Sequence, residues 1–572
     1  MEKWVVVRKG APFQEIAEKF QIDPVIARLI RNRDIVGDEA IEQYLNGTIS
    51  DLYDGMLMKD MQKAVEILLE KIEDGKKIRI IGDYDIDGIN ATYILLEGLQ
   101  RLGANVDIDI PDRMKDGYGL NQALIEKALQ ADVDTIVTCD NGIAAREEIA
   151  YAKRLGMTVV VTDHHEVPYE ETKGGKKYIL PPADAVVDPK QQDCTYPFKE
   201  LCGAAVAYKL IEALFEVSGR DAEDVDYLME NVAIATVGDV MDLVGENRIF
   251  VKQGLDMLRR TRNLGLKSLI ECTKINADQI SAYHIGFVLG PCLNASGRLD
   301  TAKRALELLR ATSKKEADIL AGDLKALNDS RKDMTAQAVE EAIRMIEQTS
   351  LREDNVLVVY LPECHESLAG IVAGRIRERY YKPTFVITRT EEGLKGSGRS
   401  IDAYHMYEQL NQCKDVLTRF GGHKLAAGIS LAEDKLEEFR NALNQNAPLT
   451  EEDLIPKISI DMQLPLGYVT EDLINQLSLL EPFGKGNTKP VFVEKDLEII
   501  NSRILGKNQN VLKMEVRDFS GQKMEAMYFG DIVKFQEYLA GKEGKKITFI
   551  YYPTINEYQG KRNLQIVVQN YR

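Results

Sequence analysis

Between Lys77 and Pro189 the sequence repeats one pattern: a short aliphatic or β-branched run, an acidic residue where the run stops, then a helical stretch. IRIIG stops at DYDIDGINAT before the helix TYILLEGLQRLG, and VDIDI stops at PDRMKDGYGL before NQALIEKALQ. TIVTC stops at DNGI before AAREEIAYAKRLG, and TVVVT stops at DHHEVP, with DAVVDP following. Strands alternating with helices in this way predict an α/β fold built on a doubly wound, mostly parallel sheet. Such sheets bind ligands outside the carboxyl ends of their strands, which is where these acids fall.

The sharpest case is Thr158–Pro168, TVVVTDHHEVP. A buried strand has no use for Asp163, His164 and His165, so the three side chains are expected to leave its end together and enter a cleft. The competing reading is a capped turn with two surface histidines. Asp83, Asp85 and Asp87 follow the first strand, and Gly88 allows a tight turn. Alternate carboxylates in an extended segment face one way, and three acids without a counter-cation repel each other, which a divalent metal resolves. A calcium loop (DxDxDG) fails because the position that needs a glutamate, the twelfth from Asp83, is Ile94.

Asp140 adds an acid at the third of these acid-tipped turns, and Asp239 lies among apolar residues in ATVGDVMDL, where it needs a partner. Asp83, Asp85, Asp140, Asp163, His164 and Asp239 make an oxygen-rich set with imidazole, suited to Mn²⁺ or Mg²⁺. Six ligands exceed the needs of one catalytic ion, and paired ions about 3.5–4 Å apart are a common device for phosphoester hydrolysis. His165 is then expected to touch phosphate. Phosphate binders are expected at Arg113 in PDRMKDGYG, at Asn294 and Arg298 in NASGRL, at Lys395, Ser397 and Arg399 in KGSGRS, and at His423 in FGGHKLAAG.

The 572 residues exceed one core. We expect an N-terminal helical segment (1–76), the sheet domain (77–270), a helical connector (271–350) with a long helix near 301–348, a second α/β domain (351–450) and a small β-barrel (455–572). The barrel is expected from short strands alternating with turns. Seven scattered cysteines without a CxxC pair point to a reducing cytoplasm and away from a zinc–cysteine site. No apolar run predicts a membrane span. The net charge of −18 leaves the substrate open, because residues 501–572 hold 12 Lys/Arg against 7 Asp/Glu and metals silence clustered acids.

GDYDIDG, TCDNG, TDHH and ATVGDV, in that order, resemble the four motifs of the DHH phosphoesterase superfamily. PDRMKDGYGL, GPCLNASGRL, HESLAGIVAGR, GSGRS, FGGHKLAAG and LLEPFGKGN resemble its RecJ branch, single-strand-specific 5′-to-3′ DNA exonucleases. The resemblance implies a DHH domain, a DHH-associated domain and an oligonucleotide-binding barrel. It implies Asp83, Asp85, Asp140, His164 and Asp239 as metal ligands, with Asp140 bridging two ions. Asp163, His165 and His423 complete the catalytic set, and Arg113, Arg298, Ser397 and Arg399, with Asn294, form the 5′-phosphate and DNA site. Two departures stand out: Ile81 where some relatives carry a histidine, and Cys292-Leu293 in place of Arg-Ile.

On that resemblance the chain is expected to release 5′-mononucleotides from single-stranded DNA in repair and recombination. It would act as a monomer away from membranes, beside a helicase and a single-strand-binding protein. Phe529, Tyr551, Tyr552 and Tyr558 are the aromatics available for base stacking in the barrel. The alternative is a DHH phosphodiesterase of short oligoribonucleotides or cyclic dinucleotides, for which a barrel is superfluous. A metal-free binding scaffold conflicts with intact acids in all four motifs, and a pyrophosphatase has no use for the barrel.

Overall fold

The computed structural model describes residues 2–113, 116, 117, 119–172, 175–391, 393–506, 508–540, 546–558 and 560–572. Its first strand, β1 (Lys3–Val6), pairs in parallel with Lys457–Ile460, placing Trp4 beside Ile458 and Val6 beside Ile460. Helices α1 (Phe13–Phe20), α2 (Pro24–Asn32) and α3 (Asp38–Asn46) follow. Asp23 caps α2 by accepting the Val25 N–H at 2.7 Å, and Pro24 sits in the first turn, where a missing N–H costs nothing. The apolar face of α2 (Val25, Ile26, Leu29, Ile30) shares one core with Leu466, Leu473, Leu477 and Phe492 of the C-terminal domain. The opening segment is therefore packed as part of the barrel's foundation.

Helix α4 (Met61–Glu73) leads into the first lobe, a five-stranded parallel sheet. Its strands are β2 (Lys77–Ile81), β3 (Asn105–Asp109), β4 (Thr135–Cys139), β5 (Thr158–Thr162) and β8 (Ala185–Val187), in the order β3-β2-β4-β5-β8. A small hairpin, β6 (Tyr169–Thr172) with β7 (Gly175–Tyr178), interrupts the chain between β5 and β8. Helices α5 (Ile86–Arg101), α6 (Gln122–Gln130) and α7 (Arg146–Arg154) connect the strands. Alternation along the strands divides the side chains between two cores. Ile78, Ile80, Val137 and Val160 join one, and Ile81, Ile136, Val159 and Val161 join the other. Burial on both faces is why the strands read as nearly unbroken apolar runs.

A helical half follows: α8 (Gly203–Val217), α9 (Met229–Gly238), α10 (Gly245–Leu258) and α11 (Leu264–Cys272). Then α12 (Ala282–His284) runs through a π-helical turn (Ile285–Leu289) into α13 (Gly290–Leu299). After α14 (Lys303–Leu309) comes α15 (Lys314–Gln348), whose 35 residues reach about 52 Å. It is a strut: Ala321 and Leu324 pack into the first lobe, Ala342 and Ile346 into the second.

The second lobe orders β9 (Leu357–Tyr360), β10 (Thr384–Thr390), β11 (Gly393–Arg399), β12 (Arg419–Gly422) and β13 (Ala426–Leu431) as β12-β13-β11-β10-β9, with α16 (Glu366–Tyr380) against β10 and β11. Beyond β14 (Lys457–Ile460) and β15 (Met462–Gln463) stand β16 (Phe492–Leu505), β17 (Val511–Arg517), β18 (Lys523–Tyr528), β19 (Ile547–Tyr558) and β20 (Lys561–Tyr571). They run β16-β17-β18-β20-β19, and β19 pairs back onto β16, closing the barrel. The fold is thus the expected α/β sheet lobe with long helix, second lobe and OB-like barrel.

LLEPFGKGN is the junction of these parts. Buried Asn487 accepts from Tyr44 Oη at 2.9 Å and Arg33 Nε at 2.8 Å, while Arg248 of α10 donates to the carbonyls of Leu479, Leu480 and Tyr44. Among the described residues no helix is long and apolar enough to cross a membrane.

Candidate metal centre and anion pocket

Where β2 ends, the first turn of α5 folds back so closely that a Cβ on Gly88 would lie 2.5 Å from the Asp83 carbonyl oxygen. Asp85 is the N-cap of α5, accepting the N–H groups of Asp87 and Gly88 at 2.9 and 3.2 Å. Asp87 turns inward, is buried, and accepts the Gly203 and Ala204 N–H groups, both at 2.7 Å, at the N-terminus of α8. Asp140 follows β4 with φ 58°, a left-handed conformation that aspartate tolerates better than most residues. Asp239 caps the C-terminal end of α9.

These elements converge. His164 Nε2 lies 3.0 Å from Asp140 Oδ1 and 3.5 Å from Asp87 Oδ2. Three sets of ligand atoms fall within 4.8 Å of one another: Asp83, Asp85 and Asp140; Asp87, His164 and Asp239; and Asp140, His164 and His165. Asp163 faces the other way. Its carboxylate accepts the N–H of Ile143 (2.8 Å), His164 (2.7 Å) and His165 (3.2 Å) and meets His165 Nδ1 at 2.7 Å.

The electrostatics separate these roles. Burial, then the charge of Asp85, pushes Asp83 up to about 8, and burial, then Asp87 and Asp85, does the same to Asp239. Asp140 and Asp87 are raised as well, mainly by burial. Burial lowers His164, which keeps its imidazole neutral and available as a ligand. Asp163 resists its burial through His165 and its N–H donors and stays below the usual carboxylate range. Burial works against a charged His165, but the bond to Asp163 and its charge outweigh it and raise the imidazole to about 9.

Crowded carboxylates with one neutral imidazole suit hard divalent ions. The buried Asp83 Oδ1 and His164 Nδ1, which have no hydrogen-bond partner among the described residues, fit the same conclusion. Two neighbours lay outside the ligand set expected from the sequence. Asp87, outside the ligand set read from the sequence, owes its place to α8, 116 residues away. Asp188, at the end of β8, is buried and pushed up to about 8 by burial and by Asp163; its signal was the strand-end position already used for the others. Ile81 is fully buried in the β2 core.

Beside this cluster, between the two lobes, lies a cavity of about 380 Å³ lined by Tyr84, Arg113, Ser367, Lys395, Ser397 and Arg419, among others. Arg113 lies over the Tyr84 ring at 5.0 Å. Arg298 crosses from α13 to donate to the Ser367 carbonyl at 2.9 Å, and Arg399 donates to Ser397 Oγ at 3.2 Å. Burial, then Arg113 and Arg331, lowers Arg298 to about 10; burial, then Arg377 and Arg113, lowers Arg399. Crowded guanidinium groups of this kind favour an anion. Arg331 and Arg377 had no motif to flag them, and Arg419, directly before FGGHKLAAG, was passed over for His423.

The remaining expectations fare differently. NASGRL is helical, with Asn294 one turn before Arg298 on α13. His423 is exposed at the tip between β12 and β13, its side chain without a hydrogen bond or ion pair among the described residues. Tyr551 and Tyr552 are no stacking surface: both are buried in the barrel core. Phe529 is 58% exposed, and the Tyr558 side chain lies outside the described residues. His365 is the N-cap of α16.

The DHH family N-terminal domain matches residues 77–236, the DHHA1 domain 353–447 and the RecJ OB domain 460–570. The single-stranded-DNA-specific exonuclease RecJ of Bacillus subtilis is 36% identical over 573 aligned residues, covering 99% of this chain and 70% of the relative. Its Haemophilus influenzae counterpart is 33% identical over 99% of this chain and 98% of its own. The crystal structure of RecJ with Mn²⁺ from Thermus thermophilus superposes with a TM-score of 0.84 at 27% identity, covering 100% of this chain and 79% of that one. With all three domains in order and the relatives aligned along nearly its whole length, the chain belongs to the RecJ family of the DHH superfamily.

Proposed function

We propose that the chain is a metal-dependent exonuclease that hydrolyses single-stranded DNA from the 5′ end to 5′-mononucleotides in DNA repair. One observation carries this reading. Tyr84, which lines the arginine-rich cavity, sits between Asp83 and Asp85 of the carboxylate cluster. An anion held in the cavity is therefore next to the acids, the arrangement an enzyme needs to anchor a terminal phosphate and cut the adjacent bond. The relatives named RecJ and the neighbour structures with Mn²⁺ and Mg²⁺ support the same substrate and cofactor.

In this reading Asp83, Asp85, Asp140, His164 and Asp239 hold two ions, with Asp87 as a further ligand from the same cluster. Bound Mn²⁺ or Mg²⁺ supplies Lewis-acid stabilisation for transfer of the phosphoryl group to water. The protein orients the substrate through Arg113, Arg298, Ser397 and Arg399. His165 is fixed through Nδ1 by Asp163, which sets the orientation of its ring toward a bound phosphate. His423, at an exposed tip of the second lobe, and Asn294 complete the substrate contacts. For an enzyme that takes a single strand, an unwinding helicase and a single-strand-binding protein are the fitting partners, and it acts as a monomer.

The test is a substrate panel with Mn²⁺ or Mg²⁺. We expect mononucleotides from 5′-phosphorylated single-stranded DNA, arrest at duplex, and no activity in Asp140→Ala. Preference for short oligoribonucleotides, with long DNA untouched, would replace this reading with the oligoribonucleotide phosphodiesterase.

A further inference from the structure

Tyr283 and Phe287 have no part in the chemistry above, yet they stand in solvent at 63% and 65% exposure. Their rings stack on each other, centroids 4.9 Å apart and planes 28° apart. An exposed stacked pair is a preformed flat apolar surface, and large apolar surface left in water calls for a partner. The backbone beneath is also unusual. It is the π-helical turn Ile285–Leu289, a form that concentrates at functional sites.

The buried side of this turn faces the metal centre. A Cβ on Gly286 would lie 3.6 Å from Val237, two residues before Asp239, and one on Gly290 would lie 3.1 Å from Ile86, the residue after Asp85. Continuing along the same rod, α13 carries Arg298 to the carbonyl of Ser367, a residue lining the cavity. The rod thus carries Arg298 toward its C-terminal end and the aromatic pair near its N-terminal end, level with the packing against Ile86 and Val237 beside the carboxylate cluster. From Arg298 back to Phe287 is about 16 Å of helix, the span of several stacked nucleotides at about 3.4 Å each.

We propose that Tyr283 and Phe287 form a stacking platform for the bases of single-stranded DNA on the 3′ side of the scissile bond. A strand whose terminal phosphate sits by Arg298 and whose scissile bond lies at the carboxylates has its following bases within reach of the pair, about 16 Å of helix from Arg298. Aromatic faces hold any base by stacking, so the platform grips the strand without reading its sequence. A duplex keeps its bases stacked on their neighbours and has none to offer. The platform rests on the exonuclease reading and adds to it a device that discriminates single strands.

The test uses the full-length enzyme, without metal for binding and with Mn²⁺ for turnover. The probes are 5′-phosphorylated oligodeoxynucleotides carrying 2-aminopurine at successive positions from the 5′ end. We expect one position beyond the first nucleotide to be quenched by the wild type and not by Tyr283→Ala/Phe287→Ala. Binding should weaken roughly tenfold, with KM raised and kcat largely retained. Tyr283→Phe should restore quenching, whereas Tyr283→Leu/Phe287→Leu, which keeps apolar bulk without rings, should not. Both side chains are largely exposed, so these variants should melt like wild type. Unchanged quenching and KM in the alanine pair, or wild-type behaviour in the leucine pair, would overturn the platform while leaving the exonuclease reading intact. A wild type inactive on single-stranded DNA would instead overturn the reading beneath it.

Discussion

Replacing Asp163 by asparagine tests how the triplet at the end of β5 works. The carboxylate accepts three backbone N–H groups and holds His165 Nδ1, and it is 1% exposed. An amide offers one acceptor oxygen, so whichever way it turns, a buried N–H is left facing another donor, at a cost of about 1–3 kcal/mol. The ion pair with His165 is lost as well. Raising His165 from 6.5 to about 9 corresponds to at most about 3.4 kcal/mol. Because 44% of that side chain meets solvent, screening reduces this to about 1–2 kcal/mol. The total is about 2–5 kcal/mol.

The sign follows from which group is shifted which way. His165 is raised in the folded state, so its contribution is complete below about pH 6.5 and is lost as pH rises through about 9. Asp163 is lowered, so its contribution is present above about pH 4 and is lost as pH falls further. Urea unfolding of metal-free protein should show the variant weaker by the stated amount near neutral pH, with the loss shrinking toward about pH 9–10 as the wild type surrenders the pair. The imidazole signals of the six histidines should show one moving down from about 9 toward its ordinary value. A variant as stable as wild type, or a His165 that still titrates near 9, would refute the bracing role of Asp163.

Arg298→Ala should raise KM for 5′-phosphorylated DNA by about tenfold or more while leaving 5′-hydroxyl substrate nearly unaffected, since a charge-assisted hydrogen bond contributes about 1.5–3 kcal/mol; kinetics on the two substrates decide it. Metal-free protein should lose stability as pH rises from about 4 to about 8, because Asp83 and Asp239 are raised in the fold and their protons must leave. The melting-temperature gain from Mn²⁺ should accordingly be larger at alkaline than at acidic pH; a pH-independent gain would contradict the shared cluster. Leu29→Ala should destabilise the barrel by about 2–5 kcal/mol, since Leu29 is fully buried in the core α2 shares with it; hydrogen exchange of β16 and β20 amides reads this.

The acids at Asp83, Asp140 and Asp163 were legible because each interrupts a buried strand, and a charge there needs a partner. Asp87 was harder. Its sequence neighbours suggest a turn, and only the packing of α8 against α5 reveals that both its oxygens accept from a helix N-terminus. The N-terminal segment carried helix signals but none for its address, since β1 pairs with residues some 450 positions away. Among the arginines, those beside glycine and serine motifs could be picked out. Arg331 and Arg377 sit in ordinary helix sequence and become notable only through their neighbours, whereas Arg419 stands directly before FGGHKLAAG and was legible there. Tyr551 and Tyr552 were ambiguous because a barrel strand shows aromatics alike to its core and its binding face; burial assigns both to the core.

The central claim is that acids from separate strand and helix ends hold two ions at one point. A crystal grown with Mn²⁺ and recorded at the manganese absorption edge tests it directly. The account predicts two anomalous peaks about 3.5–4 Å apart, with Asp140 between them and His164 on one, and loss of both in Asp140→Ala. A single peak, or ions bound away from Asp83, Asp140 and Asp239, would contradict it.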